Sequence, residues 1–551
     1  MLINTEPRRL MLAATALVVL LAAVGCAHPR TGDGGSTGAA AAAGLPVDGG
    51  VIEYGHEQEP PCANGGWIHN AYLDRQFLDS LVSLADDGTI VPWLATSWDI
   101  SPDRRIYTFH LRHDVKFTDG TRLDAAAVKY NFDYNLAPAT ENGSVTGYLG
   151  PYFASGQVVD DFTYRLELKS PYEPLLTVVS QPWFGIQSPT ALARGPEVNC
   201  TAPVGSGPFI LQKWERNKAI TFVRNPDYNS APANARHQGP AYAEKLIWKF
   251  LKDPVLRYGS LTSGSSDVIY DVPAVNWADA SEKFQLRQFV IGGRPNTVTL
   301  NVTHAPFDDV RVRQAFMYSA DRRAAVQGAF LGAVPYTASG ALSPATTDYE
   351  SALADAYHYD PARANTLLDQ AGWTVRDSHG IRVKNGVPLQ VSLVYPAGAV
   401  VGPEGEAVLQ DLAAQARQVG FDVRLVPVTQ SEWFGGKYST PEAYNATLAY
   451  WVSPTAALLS IPWGGPDPNP SNIAFYTDPQ LQHDIERGNA ATDPAERHAA
   501  YTAAQRIVSD QAVAVGLYAQ TTSLAMTPRL HDVWLDKTLG TPVFADARFV
   551  R

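Results

Sequence analysis

Cysteine is scarce in this sequence, with three in 551 residues, at positions 26, 62 and 200. They form no C-x-x-C pair, and no H-E-x-x-H occurs, so the usual sequence forms of a thiol redox centre and a zinc hydrolase are both missing. A nucleophile elbow is missing too. Gly34 to Gly38 fits G-x-S-x-G, but it lies in the low-complexity run Arg30 to Gly44, with no strand before it and no helix after it. Gly205 and Gly207 are not followed by G-K-[ST], which excludes a phosphate-cradling loop. Positive charge is in deficit: Lys and Arg number 43 against 55 Asp and Glu, and the net charge of -12 argues against nucleic acid, whose phosphates need a basic surface.

Hydrophobic residues at 45% and charged residues at 18% describe a globular chain, long enough for two or three lobes. Arg8 and Arg9 precede an apolar run from Leu10 to Val24, too short for a comfortable membrane span and of the length of a secretory signal. Ala23-Val24-Gly25-Cys26 resembles a lipobox, with Ala where Leu is usual, and implies a lipidated Cys26. Ordinary signal cleavage is the alternative. With Cys26 set aside, Cys62 and Cys200 are an even pair in an oxidising compartment, able to form a disulfide or to stay as two buried thiols.

The chain is organised around Pro92 to Gly120, PWLATSWDISPDRRIYTFHLRHDVKFTDG. Tyr107, Phe109 and Leu111 alternate with Thr108, His110 and Arg112, which predicts a strand with one apolar face, bounded by turns at Ser101-Pro102-Asp103 and Asp119-Gly120. Asp124 is placed to cap a helix from Ala125, and Tyr164, Leu166 and Leu168 mark another strand. Phe77, Leu81, Val82 and Leu84 read as one side of a helix. Further on, an Asp of the pair Asp308-Asp309 caps a helix carrying Val312, Ala315, Phe316 and Ser319, with Arg311 and Arg313 as structural ion-pair partners. Asp360-Pro361 and Asp493-Pro494 start two more helices. Strands near Gln390 to Val394 and Phe421 to Leu425, with the helix carrying Leu409, Leu412, Ala413 and Ala416 between them, make a βαβ unit. Val513 to Tyr518 reads as a strand returning to the first lobe.

W-LATSW-S-D-YTFHLR-V-F-DG, together with PVGSGPF and RNPDY between Pro203 and Tyr228, LTSGSSDVIYDVP at Leu261, and PFDDVRVRQA at Pro306, resembles the extracytoplasmic solute-binding proteins of the peptide, nickel and opine ABC importers. The resemblance implies a two-lobed α/β fold of the periplasmic-binding-protein type, with an extra β-rich subdomain inserted in the first lobe. On that reading residues 1–25 are a signal peptide and 26–48 a lipid-anchored linker. Lobe I is 49–85, 203–300 and 511–551, the inserted subdomain is 86–202, and lobe II is 301–510.

The resemblance also implies a ligand in an inter-lobe cleft. Its expected contacts are Trp451, Tyr450, Trp433, Trp183, Gln181, His69, Asn70 and Tyr72, with Arg294 and Lys437 as cations for a ligand carboxylate; Trp463 falls in the same aromatic region. In peptide-binding relatives an Asp shortly after the pocket Trp grips the peptide ammonium. Here Trp451 is followed by Val452-Ser453-Pro454-Thr455-Ala456, with no carboxylate, and Asp467 is the substitute the sequence offers.

The function implied is non-enzymatic capture of an oligopeptide or peptide-like solute and its delivery to an ABC permease by a lipid-anchored monomer needing no cofactor or metal. The alternatives are a binder of a metal chelate, opine, haem or sugar, and an envelope sensor or scaffold that retains the fold. A secreted hydrolase is disfavoured by the missing motifs.

Overall fold

The computed structural model describes residues 46–137, 143–398, 400–464, 469 and 471–550. Cys26, the signal segment and the linker up to residue 45 lie outside them, as does Asp467, whereas Pro46–Val47, placed in the linker above, form a short strand paired with Phe549 and Val550. Residues 45–551 form one compact unit. Three sheets dominate it.

The first sheet has seven strands, in the order Gln285–Val290, Thr521–Met526, Val268–Tyr270, Val51–His56, Lys245–Phe250, Ala219–Arg224, Phe209–Glu215. Its centre is parallel, since Val51–His56 runs alongside both Lys245–Phe250 and Val268–Tyr270, and the flanking pairs are antiparallel. The second sheet has five strands, in the order Asp422–Val428, Gln390–Pro396, Ala446–Val452, Gly293–Leu300, Ala514–Tyr518. Gln390–Pro396 is parallel to both of its neighbours, and helix Pro403–Val419 makes the expected crossover, ending on Gly420 in a left-handed conformation. The third sheet is antiparallel, in the order Ala95–Ile100, Ile106–Leu111, Thr163–Leu168, Phe153–Asp160. There the alternation is real: Tyr107, Phe109, Leu111, Tyr164, Leu166 and Leu168 are all buried, while Thr108 and His110 are not.

The Asp-capped helices form as the sequence implies. The carboxylates of Asp124, Asp309, Asp360 and Asp493 each accept from a backbone N–H of the first turn. Arg311 does pair with Asp309, at 2.6 Å, but Arg313 is held by the carbonyls of Phe307 and Gln511 instead of a carboxylate.

Two expectations are corrected. Phe77 to Leu84 is not a helix: helical structure stops at Ala71–Asp74, and Val82–Leu84 is a strand paired with Ile90–Pro92. Tertiary bonds override the periodic pattern. The buried Asp79 carboxylate accepts from the hydroxyls of Ser206 and Ser230, at 2.9 and 2.6 Å, while the Phe77 carbonyl accepts from Gly207 N–H. Gly205 is needed there for closeness rather than for a special φ, because a Cβ on it would lie 1.9 Å from the Phe77 carbonyl oxygen.

The second correction concerns how the chain crosses between the sheets. Ala514–Tyr518 does not return to the first sheet but pairs with Gly293–Leu300 at the edge of the second, so the latter strand, drawn into lobe I above, also belongs with the second. The return is made by Thr521–Met526. The polar residues Gln520 to Ser523 interrupt the otherwise apolar run from Ala512 to Met526, and the chain passes from the second sheet to the first there. The two crossings, Ile291-Gly292 and Ala519-Gln520, lie side by side: Ile291 N–H donates to the Gln520 carbonyl, and the Asn296 amide donates to the Gln520 side chain.

Candidate functional site

In α/β sheets ligands gather outside the carboxyl ends of parallel strands. His56 and Tyr270 end adjacent parallel strands of the first sheet, and Tyr450, Trp451 and Pro396 lie at the corresponding ends in the second. All five border a cavity of about 500 Å³. Both crossing segments reach it through Ile291 and Gln520, so it lies where the chain passes between the two sheets.

Of the sequence-predicted residues, Trp451, Tyr450, Trp433, His69 and Tyr72 line this cavity. Trp183, Gln181 and Asn70 do not. All three are buried behind it, Trp183 against the cavity-lining Tyr148 with ring centroids 5.3 Å apart, and the Asn70 amide donating to the Asn64 carbonyl. Lys437 is exposed and paired with Glu432 at 2.7 Å, so it is a surface ion pair rather than a cleft cation. Arg294 and Trp463 are buried just beyond the wall, the guanidinium carbon 5.4 Å from the Trp451 ring centre and 5.1 Å from that of Trp463. Cys62 and Cys200 are joined as a disulfide, which ties the loop entering Trp67 and His69 to the segment leaving Asn199.

Sequence reading missed His56, Tyr270, Trp67, Tyr148, Tyr438, Tyr444 and Gln520, all of which line the cavity. His56 and Tyr270 are the last residues of parallel strands whose pairing joins distant parts of the chain, which no local pattern announces. His56 is stacked between Tyr72 and Tyr270, with centroids 4.6 Å away on each side. Its Nδ1 is engaged by the Gln58 backbone at 3.2 Å. Burial pushes its pKa down to about 3, so the imidazole is neutral across the physiological range. Burial also lowers His69.

A smaller cavity of about 120 Å³ shares Tyr270, Val400 and Gln520 with the larger one and is bordered by Glu57, Asp271 and Glu404. Desolvation, reinforced by the neighbouring Asp271 carboxylate, holds Glu57 well above the usual carboxylate range. Among the described residues no group of three or more His, Cys, Asp or Glu is placed to hold a metal ion.

The chain is 27% identical over 457 residues to the nickel-binding periplasmic protein of Escherichia coli K12, covering 80% of this chain and 83% of that one. It is also 27% identical over 480 residues to the glutathione-binding protein GsiB of Salmonella typhimurium, covering 85% and 88%. Among solved structures the fold matches the Helicobacter pylori binding protein DppA in complex with the peptide STSA (TM-score 0.78, 20% identity, 92% of this chain and 99% of that one). It equally matches the Bacillus subtilis oligopeptide-binding protein AppA with a nonapeptide (TM-score 0.78, 18% identity, 92% and 100%). Residues 89–479 match the model of the bacterial extracellular solute-binding proteins, family 5. The chain therefore belongs to family 5 of the bacterial extracellular solute-binding proteins, the non-enzymatic solute-binding components of ABC importers.

Proposed function

We propose that this protein captures an oligopeptide or peptide-like solute in the cavity between its two α/β sheets, closes over it and passes it to its permease. The observation that carries the reading is the aromatic wall of the cavity, where Trp451, Tyr450 and Tyr270 at strand ends and Trp433 and Tyr72 on short helices line one space beside the two chain crossings. Rigid aromatic rings supply contact area at low entropic cost, and a solute that prefers the closed arrangement drives closure. The lobes that close are those of the sequence reading, with the strands Gly293–Leu300 and Ala514–Tyr518 moved to the second. The peptide assignment draws support from the peptide complexes of similar fold. In the absence of an acid after Trp451, a solute ammonium would look to the adjoining smaller cavity, which Asp271 and Glu404 border. On this reading Cys26 carries the lipid that anchors the protein outside the membrane.

A second reading, capture of a metal chelate, is favoured by the imidazoles His56 and His69 in the wall and by the similarity to the nickel-binding protein. Small-angle scattering of the protein titrated with pools of di- to pentapeptides, and separately with nickel and free histidine, tests both. A smaller radius of gyration with peptides supports the first reading and one with nickel–histidine alone supports the second. An unchanged radius with every pool overturns solute-driven closure.

A further inference from the structure

The third sheet and the segments around it, the inserted subdomain of the sequence reading, are tied to the first lobe by backbone bonds. The Asp79 carbonyl accepts from Ile186 N–H at 2.8 Å, the Gly205 carbonyl accepts from Thr118 N–H at 2.9 Å, and the Arg75 guanidinium donates to the Ser180 carbonyl. Arg75 is itself locked by the Asp536 carboxylate at 2.7 Å. A second lobe that closes over a solute therefore closes on this subdomain as well as on the first sheet. What it meets there is a line of polar contacts joining Tyr148, Tyr152 and Glu173 to partners between Asp348 and Tyr501.

Asn489, near the end of helix Pro479–Ala490 and fully buried, is the centre of that line. Its Nδ2 donates to the Tyr152 hydroxyl at 2.7 Å and to the Ser460 hydroxyl at 2.8 Å, its Oδ1 accepts from the Tyr501 hydroxyl at 2.6 Å, and its carbonyl accepts from Glu173 N–H at 2.8 Å. Both ends of the amide are thereby engaged. Tyr152 is fixed on its own side: its N–H donates to the Leu149 carbonyl at 3.0 Å, its carbonyl accepts from Lys169 N–H at 2.7 Å, and its ring stacks on Tyr172 with centroids 3.9 Å apart. At the cavity end of the line the Tyr148 hydroxyl donates to the Val452 carbonyl, one residue after Trp451. At the other end Arg497 pairs with Asp348 at 2.9 Å and lies 3.9 Å from the Glu173 carboxylate.

Hydroxyls, an amide and a backbone N–H recover their bonds from water when such a joint opens, and satisfied together they fix one register when it shuts. Neither Asn489 nor Tyr152 borders the cavity. We infer that Asn489 and Tyr152 form a clasp that holds the second lobe onto the inserted subdomain, so that part of the free energy of closure comes from residues that never touch the solute. This rests on the reading that a solute drives closure, and it adds what holds the closed form. A solute's apparent affinity includes the closing equilibrium, so a weaker clasp lowers affinity with every solute contact intact.

Amide hydrogen exchange of the full protein tests the clasp. Glu173 N–H reports the joint, and Leu111 N–H, bonded to the Phe162 carbonyl at 2.8 Å within the inserted subdomain, reports the subdomain itself. Without solute, Glu173 is expected to be at least about tenfold less protected than Leu111. Tyr152→Phe, which keeps the ring and its stack, is expected to lower Glu173 protection about fivefold further and to leave Leu111 unchanged. Tyr258→Phe, which removes a hydroxyl bond to Asp279 within the first lobe, is expected to move neither. Pools of di- to pentapeptides should raise Glu173 protection in the wild type. Glu173 as strongly protected as Leu111 would make the two parts one rigid body and overturn the clasp, as would equal Glu173 protection in the wild type and Tyr152→Phe. Pools that shrink the radius of gyration but leave Glu173 untouched would overturn it while solute capture stands. Pools that change neither, with Tyr152→Phe still loosening Glu173, would keep the clasp and remove peptides as what closes it.

Discussion

His56 and Tyr72 on one side of the cavity, and Tyr450 and Trp451 on the other, belong to walls built in different ways. His56 is 2% exposed, clamped by Tyr72 and Tyr270, and backed by Trp248 and Tyr54 in a continuous core that runs down to Phe77. Tyr450, Trp451, Trp433 and Tyr438 are half-buried, and the last two come from the connection after Asp422–Val428 rather than from a strand. The first wall is a platform whose geometry is set by folding, whereas the second has aromatic side chains with room to reorient around a guest. Changes in the first wall should therefore act on stability and changes in the second on binding.

The largest effect expected from this contrast lies beneath the first wall. Gly205→Ala forces a methyl group into the Phe77 carbonyl, and we expect either no folded product or a loss of more than about 4 kcal/mol in thermal denaturation. Next comes the disulfide: Cys62→Ser with Cys200→Ser opens a link that spans 138 residues and should lower stability by about 2–5 kcal/mol under non-reducing conditions.

His56 gives the same wall a pH signature. The unfolded chain takes up a proton near the ordinary histidine value of 6.5, but the folded one does so only near 3, so stability falls as pH drops through this window. At pH 5 the penalty is about 2 kcal/mol. His56→Gln should flatten the stability profile between pH 7 and 4, and an unchanged slope would contradict the assignment.

On the second wall, Trp451→Ala is expected to leave the melting temperature almost unchanged while weakening solute affinity about tenfold. A variant that instead unfolds would erase the distinction between the walls. The smallest effect is at Lys437: its pair with Glu432 is exposed, and Lys437→Ala should alter neither affinity nor melting temperature.

What could be read from the sequence follows the same physical division. Short-range rules succeeded where the cause is local. The Tyr107-Phe109-Leu111 alternation and the Asp caps at 124, 309, 360 and 493 each depend on a few adjacent residues. They failed where a distant partner decides. Phe77 to Leu84 has helical spacing but is drawn out by Ser206, Gly207 and Ser230. Of the second-wall aromatics, Trp451 was singled out through family resemblance, and Trp433 and Tyr450 by their place in an aromatic-rich region. His56 was not, because its place at the cavity depends on which strands become parallel neighbours.

Native mass spectrometry of the protein after incubation with a peptide-rich extract tests the central claim most directly. The account predicts one added small molecule per chain in the wild type, and its loss from a folded His56→Gln, Trp451→Ala double variant. Equal occupancy of both proteins, or of neither, would contradict a guest held between these two walls.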